Sequence, residues 1–139
     1  MSSFTLYISE SDSVDLYPSN KAYSFVVQLP RIINLSPFLW TCSVQSIILK
    51  TDTRGDESPV IVASDLCQES YCYGSFQTVL GEFILKSSTG WQQTTYDNPT
   101  PLLIRKDSLS FIKVSLFSDG REHRRISKFR LQLRFQRRR

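Results

Sequence analysis

Few side chains in this 139-residue chain have the types and spacing that chemistry requires. It holds one histidine, His123, and three cysteines, Cys42, Cys67 and Cys72. Acid–base catalysis needs converging groups with tuned pKa values. A lone histidine excludes mechanisms that rely on two. His123 lies in Arg121-Glu122-His123-Arg124-Arg125, where flanking cations disfavour its protonation, so it reads as a surface histidine in a charged turn. Cys42, Cys67, Cys72 and His123 could in principle form a Cys₃His zinc set. Four residues separate Cys67 from Cys72, however, unlike the tight pairs of common zinc sites. Buried free thiols in a reducing compartment are the better reading. No Gly-x-Ser-x-Gly elbow is present, and 5 glycines leave little material for phosphate-cradling loops. The run Ser9-Glu10-Ser11-Asp12-Ser13-Val14-Asp15 alternates acid and hydroxyl but lacks the central Gly and closing Glu of an EF-hand. It is expected to cap a bend into Tyr17-Pro18. Arg54-Gly55-Asp56 is an integrin-type tripeptide, and equally an ordinary polar turn within Thr51–Ser58. These residues predict no catalytic, metal or cofactor site, and hence no enzyme.

Charge is the stronger signal. Residues 121–139 carry nine basic side chains and one acid, a net +8, whereas residues 1–120 sum to −4. Such a block binds a polyanion or an acidic protein surface, or else it solvates a strand edge and resists aggregation. Arg130, Arg134, Arg137, Arg138 and Arg139 are the candidate contacts to DNA or to an acidic partner.

These side chains must be positioned by strands. Phe129, Leu131, Leu133 and Phe135 alternate with Lys128, Arg130, Gln132, Arg134 and Gln136, giving a half-buried strand with one apolar and one cationic face. Phe4/Leu6/Ile8, Phe25/Val27/Leu29 and Ile112/Val114/Leu116 alternate likewise. Pro30 is expected to end the second of these. Trp40/Cys42/Val44 and Ile47/Leu49 differ in parity, which a bulge near Gln45–Ser46 would reconcile. Val60–Ala63, Tyr71–Leu80, Phe83–Leu85 and Leu102–Ile104 add shorter candidates, and Ser118-Asp119-Gly120 suggests a tight turn. Eight or nine short strands with no amphipathic helix predict an all-β antiparallel sandwich or barrel in one domain. No apolar run approaches the roughly 18 residues of a membrane span, and the N-terminus shows no signal-peptide pattern. A small barrel that binds nucleic acid through the basic last strand is compatible with this pattern. The phenylalanines of that strand, however, face away from its arginines and read as core.

Two stretches together resemble a known group. The first runs through Tyr7-Ile8-Ser9, Asp15-Leu16-Tyr17-Pro18-Ser19-Asn20, Phe25 to Pro30, Ile33-Asn34-Leu35 and Trp40 to Val44. The second runs through Phe111 to Leu116, Asp119-Gly120 and Phe129 to Phe135. They are similar to proteins of Polinton (Maverick) elements and of adintoviruses and adomaviruses. Gln45 and Ser46 stand where members commonly carry an acidic residue, and residues 51–100 hold no motif of the group. The resemblance implies a single jelly roll over residues 1–139 with a basic tail at 136–139, serving as a penton-like minor capsid protein. It further implies a homo-oligomer, a ring of five, beside the major capsid protein in the virion, assembled in the host nucleus. In a jelly roll the first and last strands lie side by side. The N-terminus and the tail would then share one end, facing the particle interior and its packaged DNA.

Overall fold

The computed structural model describes residues 2–72, 75–118 and 121–138, without the side chains of residues 70–72, 75–76 and 121. Twelve strands are present among them. They are β1 (Ser3–Ser9), β2 (Ser24–Asn34), β3 (Trp40–Thr51), β4 (Ser58–Ser64), β5 (Ser70–Cys72) and β6 (Ser75–Gln77). The remainder are β7 (Val79–Leu85), β8 (Gly90–Thr95), β9 (Leu102–Leu103), β10 (Ser108–Ser118), β11 (Arg121–Glu122) and β12 (Ile126–Arg137). No helix among the described residues is long and apolar enough to cross a membrane.

Eight of these strands build two antiparallel sheets. The first has the order β1-β12-β3-β8 and the second β2-β10-β4-β7. The pairing follows one rule. Counted along the chain, the first long strand pairs with the eighth, the second with the seventh, the third with the sixth and the fourth with the fifth. One long antiparallel hairpin has rolled up, and β12·β3 and β10·β4 close the roll. This is a single jelly roll. The sandwich replaces the barrel alternative, because each four-stranded sheet keeps its own edges.

Period-two patterning explains why the sheets face each other. Phe129, Leu131, Leu133 and Phe135 on β12 are buried, as are Phe25 and Val27 on β2 and Ile112, Val114 and Leu116 on β10. Phe129 ties the sheets together, with ring centroids 6.1 Å from Phe25 on β2 and 6.3 Å from Phe83 on β7. At one end Phe4 stacks on Phe135 at 4.7 Å and tilts against Trp40 at 5.4 Å. The buried Trp40 indole N–H donates to the Leu35 carbonyl at 2.9 Å, which satisfies its one polar atom.

The bulge falls where the parity change requires it, since Gln132 opposes Ser46 and Leu133 opposes Val44, leaving Gln45 unpaired with β12. Pro30 does not end its strand, because β2 runs on to Asn34. The register with β10 slips there, from Gln28 opposite Phe111 to Ile33 opposite Leu109, so Pro30 sits in a bulged edge where no N–H is needed. Residues 79–85 form one strand, whereas the sequence splits them between two candidates. Strand β8 is absent from the sequence reading. It alternates between exposed and half-buried positions, so no fully buried face marks it. The Asp119-Gly120 turn lies outside the described residues, although Ser118 pairs with Arg121 across it.

The Ser-rich bend behaves as expected. The Asp12 carboxylate accepts the Ser9 N–H at 2.8 Å, and Ser13 Oγ accepts the Gln28 N–H at 2.8 Å. Asn20 completes the brace, accepting the Val26 N–H at 3.0 Å and donating to the Val26 carbonyl at 2.9 Å. The Ser-rich and Tyr-Pro-x-Asn segments thus satisfy the outer edge of β2, which would otherwise offer unpaired backbone to another strand. Truncating the residue that joins the sheets should cost most. Phe129→Ala is expected to lower the unfolding free energy by about 3–5 kcal/mol, read as a fall in urea midpoint at unchanged m-value.

Candidate functional site

The described cations of the basic block 121–139 occupy separate places in the fold. Strand β12 is interior to its sheet, with β1 on one side and β3 on the other, so its cations do not guard a strand edge. Lys128, Arg130 and Arg134 stand exposed on the outer face of the β1-β12-β3-β8 sheet. Arg137 shares the inward parity of Phe135 but lies past the end of the core, with its guanidinium 4.3 Å from the Phe38 ring centroid. Arg139 lies outside the described residues. The four described candidate arginines, Arg130, Arg134, Arg137 and Arg138, therefore do not form one site. The tail is also shorter than expected, because Gln136 pairs with Ser3 and Thr41, and Arg137 pairs with Trp40.

The two chain ends do meet. The Arg137 N–H donates to the Ser2 carbonyl at 2.9 Å, and the Arg138 N–H to the Leu39 carbonyl at 2.8 Å. Phe38 and Leu39 are 53% and 64% exposed beside these arginines. This end of the sandwich is at once apolar and cationic.

Arg125 has a different task. Its Nε donates to the Thr53 carbonyl (3.4 Å), Nη1 to Asp56 (3.2 Å), and Nη2 to Lys86 and Ser87 (3.1 and 3.2 Å). One side chain with five rigid donors thereby joins the loop before β4 to the loop after β7. The Arg125 side chain also covers Gly55, where an added Cβ would come within 2.7 Å of its Cδ. Arg54-Gly55-Asp56 is therefore a turn pinned at its centre. Arg124 lies over the Tyr23 ring at 5.8 Å.

Sequence reasoning missed the surroundings of Arg130. Across β3, the neighbouring strand β8 places Trp91 on the same outer face, and the Arg130 guanidinium lies 5.5 Å from its ring centroid. Tyr7 on β1 is on that face as well. Gln132 Nε2 donates to the Tyr7 hydroxyl at 3.3 Å, while Gln132 Oε1 accepts from Ser46 at 3.0 Å. A depression of about 290 Å³ lies among Tyr7, Ser9, Ser46, Ile48, Arg130 and Gln132. The aromatic partners come from strands remote in sequence, so only their parity in an alternating strand could have flagged them. A second depression of about 560 Å³ includes Asp65, Arg105, Lys106 and Lys113. Its charge is partly compensated, because Lys106 Nζ pairs with Asp65 at 2.6 Å and the Lys113 N–H donates to the same carboxylate at 3.0 Å.

The groups considered for catalysis are placed as structure. Cys42 and Cys67 are buried free thiols. Burial pushes Cys67 up to about 12, helped by the Asp65 carboxylate, and burial raises Cys42 well above its usual range. Neither is poised to be a thiolate nucleophile. Cys72 has no described side chain, and among the described residues no three His, Cys, Asp or Glu side chains gather as a metal set. His123 is half-buried rather than at the surface. Burial first, and Arg125 second, hold its imidazole below the ordinary histidine value. Its Nε2 lies 3.4 Å from Ser58 Oγ.

No family model matches the chain, and no curated protein matches it. Among solved structures it is similar to the family 32 carbohydrate-binding module of C. perfringens NanJ, in complex with galactose. The identity is 13% over 94% of this chain and 93% of that chain, with a TM-score of 0.35. A likeness that weak carries nothing about ligands, and the jelly roll stands on its own strand order.

The depressed His123 pKa has a signed consequence. Below the ordinary value of about 6.5, the unfolded chain binds a proton that the folded chain resists. Unfolding free energy from this group is thus complete above about pH 6.5 and is lost as pH falls through the folded-state value. Urea midpoints compared at about pH 7.5 and about pH 5.5 should show a smaller acid loss in His123→Gln than in the parent.

Proposed function

We propose that the chain is a viral structural protein, a penton-like minor capsid subunit whose work is assembly. The observation that supports it best is the rolled-hairpin order with β1 and β12 paired, which is what the resemblance at both ends of the sequence implies. Jelly rolls of this kind serve in viral capsids, and also in lectins and cupins. The resemblance selects among these, and no cavity or titratable cluster in the described residues argues for chemistry instead.

Assembly needs lateral and inner surfaces. The sheet β2-β10-β4-β7 has edge strands β2 and β7, and each bears an exposed isoleucine, Ile32 and Ile84. Exposed apolar side chains on strand edges are natural material for contact between copies. A ring of five closes such a contact without leaving an open filament. The end bearing Ser2, Phe38, Leu39, Arg137 and Arg138 supplies the inner contact in this reading. Its arginines meet packaged DNA or an acidic segment of the major capsid protein, and its two apolar side chains seat against protein. The virion is then the protein's location, after assembly in the host nucleus.

Native mass spectrometry of the full chain should show a species of five copies. Ile32→Lys and Ile84→Lys, both on exposed positions, should shift it toward monomer without loss of the folded far-UV spectrum. A strict monomer at every concentration overturns the reading. Replacing Arg137, Arg138 and Arg139 by Gln preserves the β12 backbone pairing. It should reduce DNA retention in assembled particles and flatten the salt dependence of that retention. Unchanged retention at low salt defeats the inner-contact role.

A further inference from the structure

The sheet β1-β12-β3-β8 contains no aspartate or glutamate in any of its four strands, and Lys50, Lys128, Arg130 and Arg134 alternate onto its outer face. The nearest carboxylates lie just past the strand ends, Glu10 after β1, Asp52 after β3 and Asp97 after β8, and of these Asp52 and Asp97 are exposed. Glu10 accepts from the Phe129 N–H at 3.1 Å and Asp12 from the Ser9 N–H. The strands of the other sheet mix signs, with Glu82 on β7 and Glu122 on β11 beside Arg31 on β2, Lys113 on β10 and Arg121 on β11.

Two aromatic rings share the cationic face. Tyr7 is 74% exposed and Trp91 is 52% exposed. Tyr7 is level with Gln132 and Ser46, whereas Trp91 is level with Lys50 and Lys128. At about 3.3 Å per residue and about 4.8 Å per strand, the two rings are separated by roughly 20 Å on a diagonal. Arg130 lies between them, with its guanidinium against Trp91. The 290 Å³ depression lies between Tyr7 and Arg130, and hydroxyl and amide groups line part of it. Aromatic residues favour strands for packing reasons alone, and cations solvate faces. Neither habit accounts for two open rings at the ends of a diagonal across four strands that carry cations and no acid.

We infer that this outer face binds single-stranded nucleic acid, with Tyr7 and Trp91 as base-stacking platforms and Lys50, Lys128, Arg130 and Arg134 along the phosphates. Both halves of the ligand are matched. Phosphates are drawn by a face whose strands carry cations and no carboxylate, and every base has a π-face to offer an exposed ring. A duplex keeps its bases stacked inside, so it could use the cations but not the rings. A neutral sugar could use the rings but would leave four cations idle. Arg130 serves both functions, since a guanidinium held against an indole is pre-positioned for a phosphate or a base plane. Gln132 and Ser46 offer hydrogen bonds to the ligand in the floor of the depression, without selecting one base. This inference goes beyond the capsid reading and does not depend on a ring of five.

The test is fluorescence anisotropy of the full chain with a labelled oligothymidine of about 12 nucleotides, at about 50 mM salt and upward. The parent should bind, with affinity falling steeply as salt rises. Trp91→Ala and Tyr7→Ala should each weaken binding by roughly 5- to 150-fold, whereas Trp91→Phe should keep most of it. Arg130→Gln should lower the salt slope by about one. Far-UV spectra and urea midpoints should match the parent, because both rings are open to solvent. The inference is overturned if the ring variants bind like the parent, which would leave charge alone. It is overturned equally if a duplex or a sulfated oligosaccharide of matched charge binds as tightly, or if nothing binds at about 50 mM salt. Native mass spectrometry in the same buffer reports the oligomeric state, so failure of the ring of five and failure of this site are read separately.

Discussion

Everything in this fold depends on a strand that is two-faced by strict alternation and is nevertheless paired on both sides. β12 hydrogen-bonds along β1 on one edge and along β3 on the other. Its inward residues, Phe129 to Phe135, close the core, and Phe129 reaches two strands of the opposite sheet. A one-residue slip would turn four arene and leucine side chains to water and four polar ones into the core. The register is therefore held by burial, and the roll as a whole is held by that register, since β12 joins the first strand of the chain to the third. The bulge at Gln45 belongs to the same constraint. It lets β3 keep Cys42 and Val44 buried on one side of the kink and Ile47 and Leu49 on the other while staying paired with one continuous partner.

The same alternation produces the surface chemistry. Residues of a strand that cannot face the core must face water, so Lys128, Arg130 and Arg134 of the +8 block join a cationic sheet face. Where the block departs from alternation, its arginines take other work. Arg125 gathers carbonyls from two loops, and the Arg137 guanidinium lies over Phe38 at the sandwich end. Edges are managed locally. Asn20 and Ser13 satisfy the outer backbone of β2, and Pro30 sits where that edge is already irregular. The outcome is a protein whose chemistry lies on its surfaces. The Cys42 and Cys67 thiols are buried in neutral form, and burial and Arg125 disfavour protonation of His123.

Legibility differed from strand to strand for physical reasons. β12, β1 and β10 could be read directly because each has a buried and an exposed side. β8 could not, because it is an edge strand with partly exposed positions throughout, and hydrophobic periodicity reports burial rather than pairing. Pro30 misled because its missing N–H forbids only an interior position. His123 misled because its neighbours in sequence are charged, while burial, which comes from elsewhere in the fold, dominates its pKa.

The amino-acid sequence by itself determined the class, the alternating last strand and the position of the bulge. These follow from side-chain patterning within a few residues, which the chain carries wherever it goes. Tertiary structure alone decided which strands are neighbours. It brought Tyr7 and Trp91 to either side of Arg130, joined Ser2 to Arg137, set Arg125 over Gly55, and divided Arg130 and Arg134 on a sheet face from Arg137 and Arg138 at a sandwich end. Those juxtapositions depend on strand order, and strand order depends on how the long hairpin rolls to bury Phe129 against Phe25 and Phe83. That is a property of contacts far apart in the chain, and no local window of sequence records it.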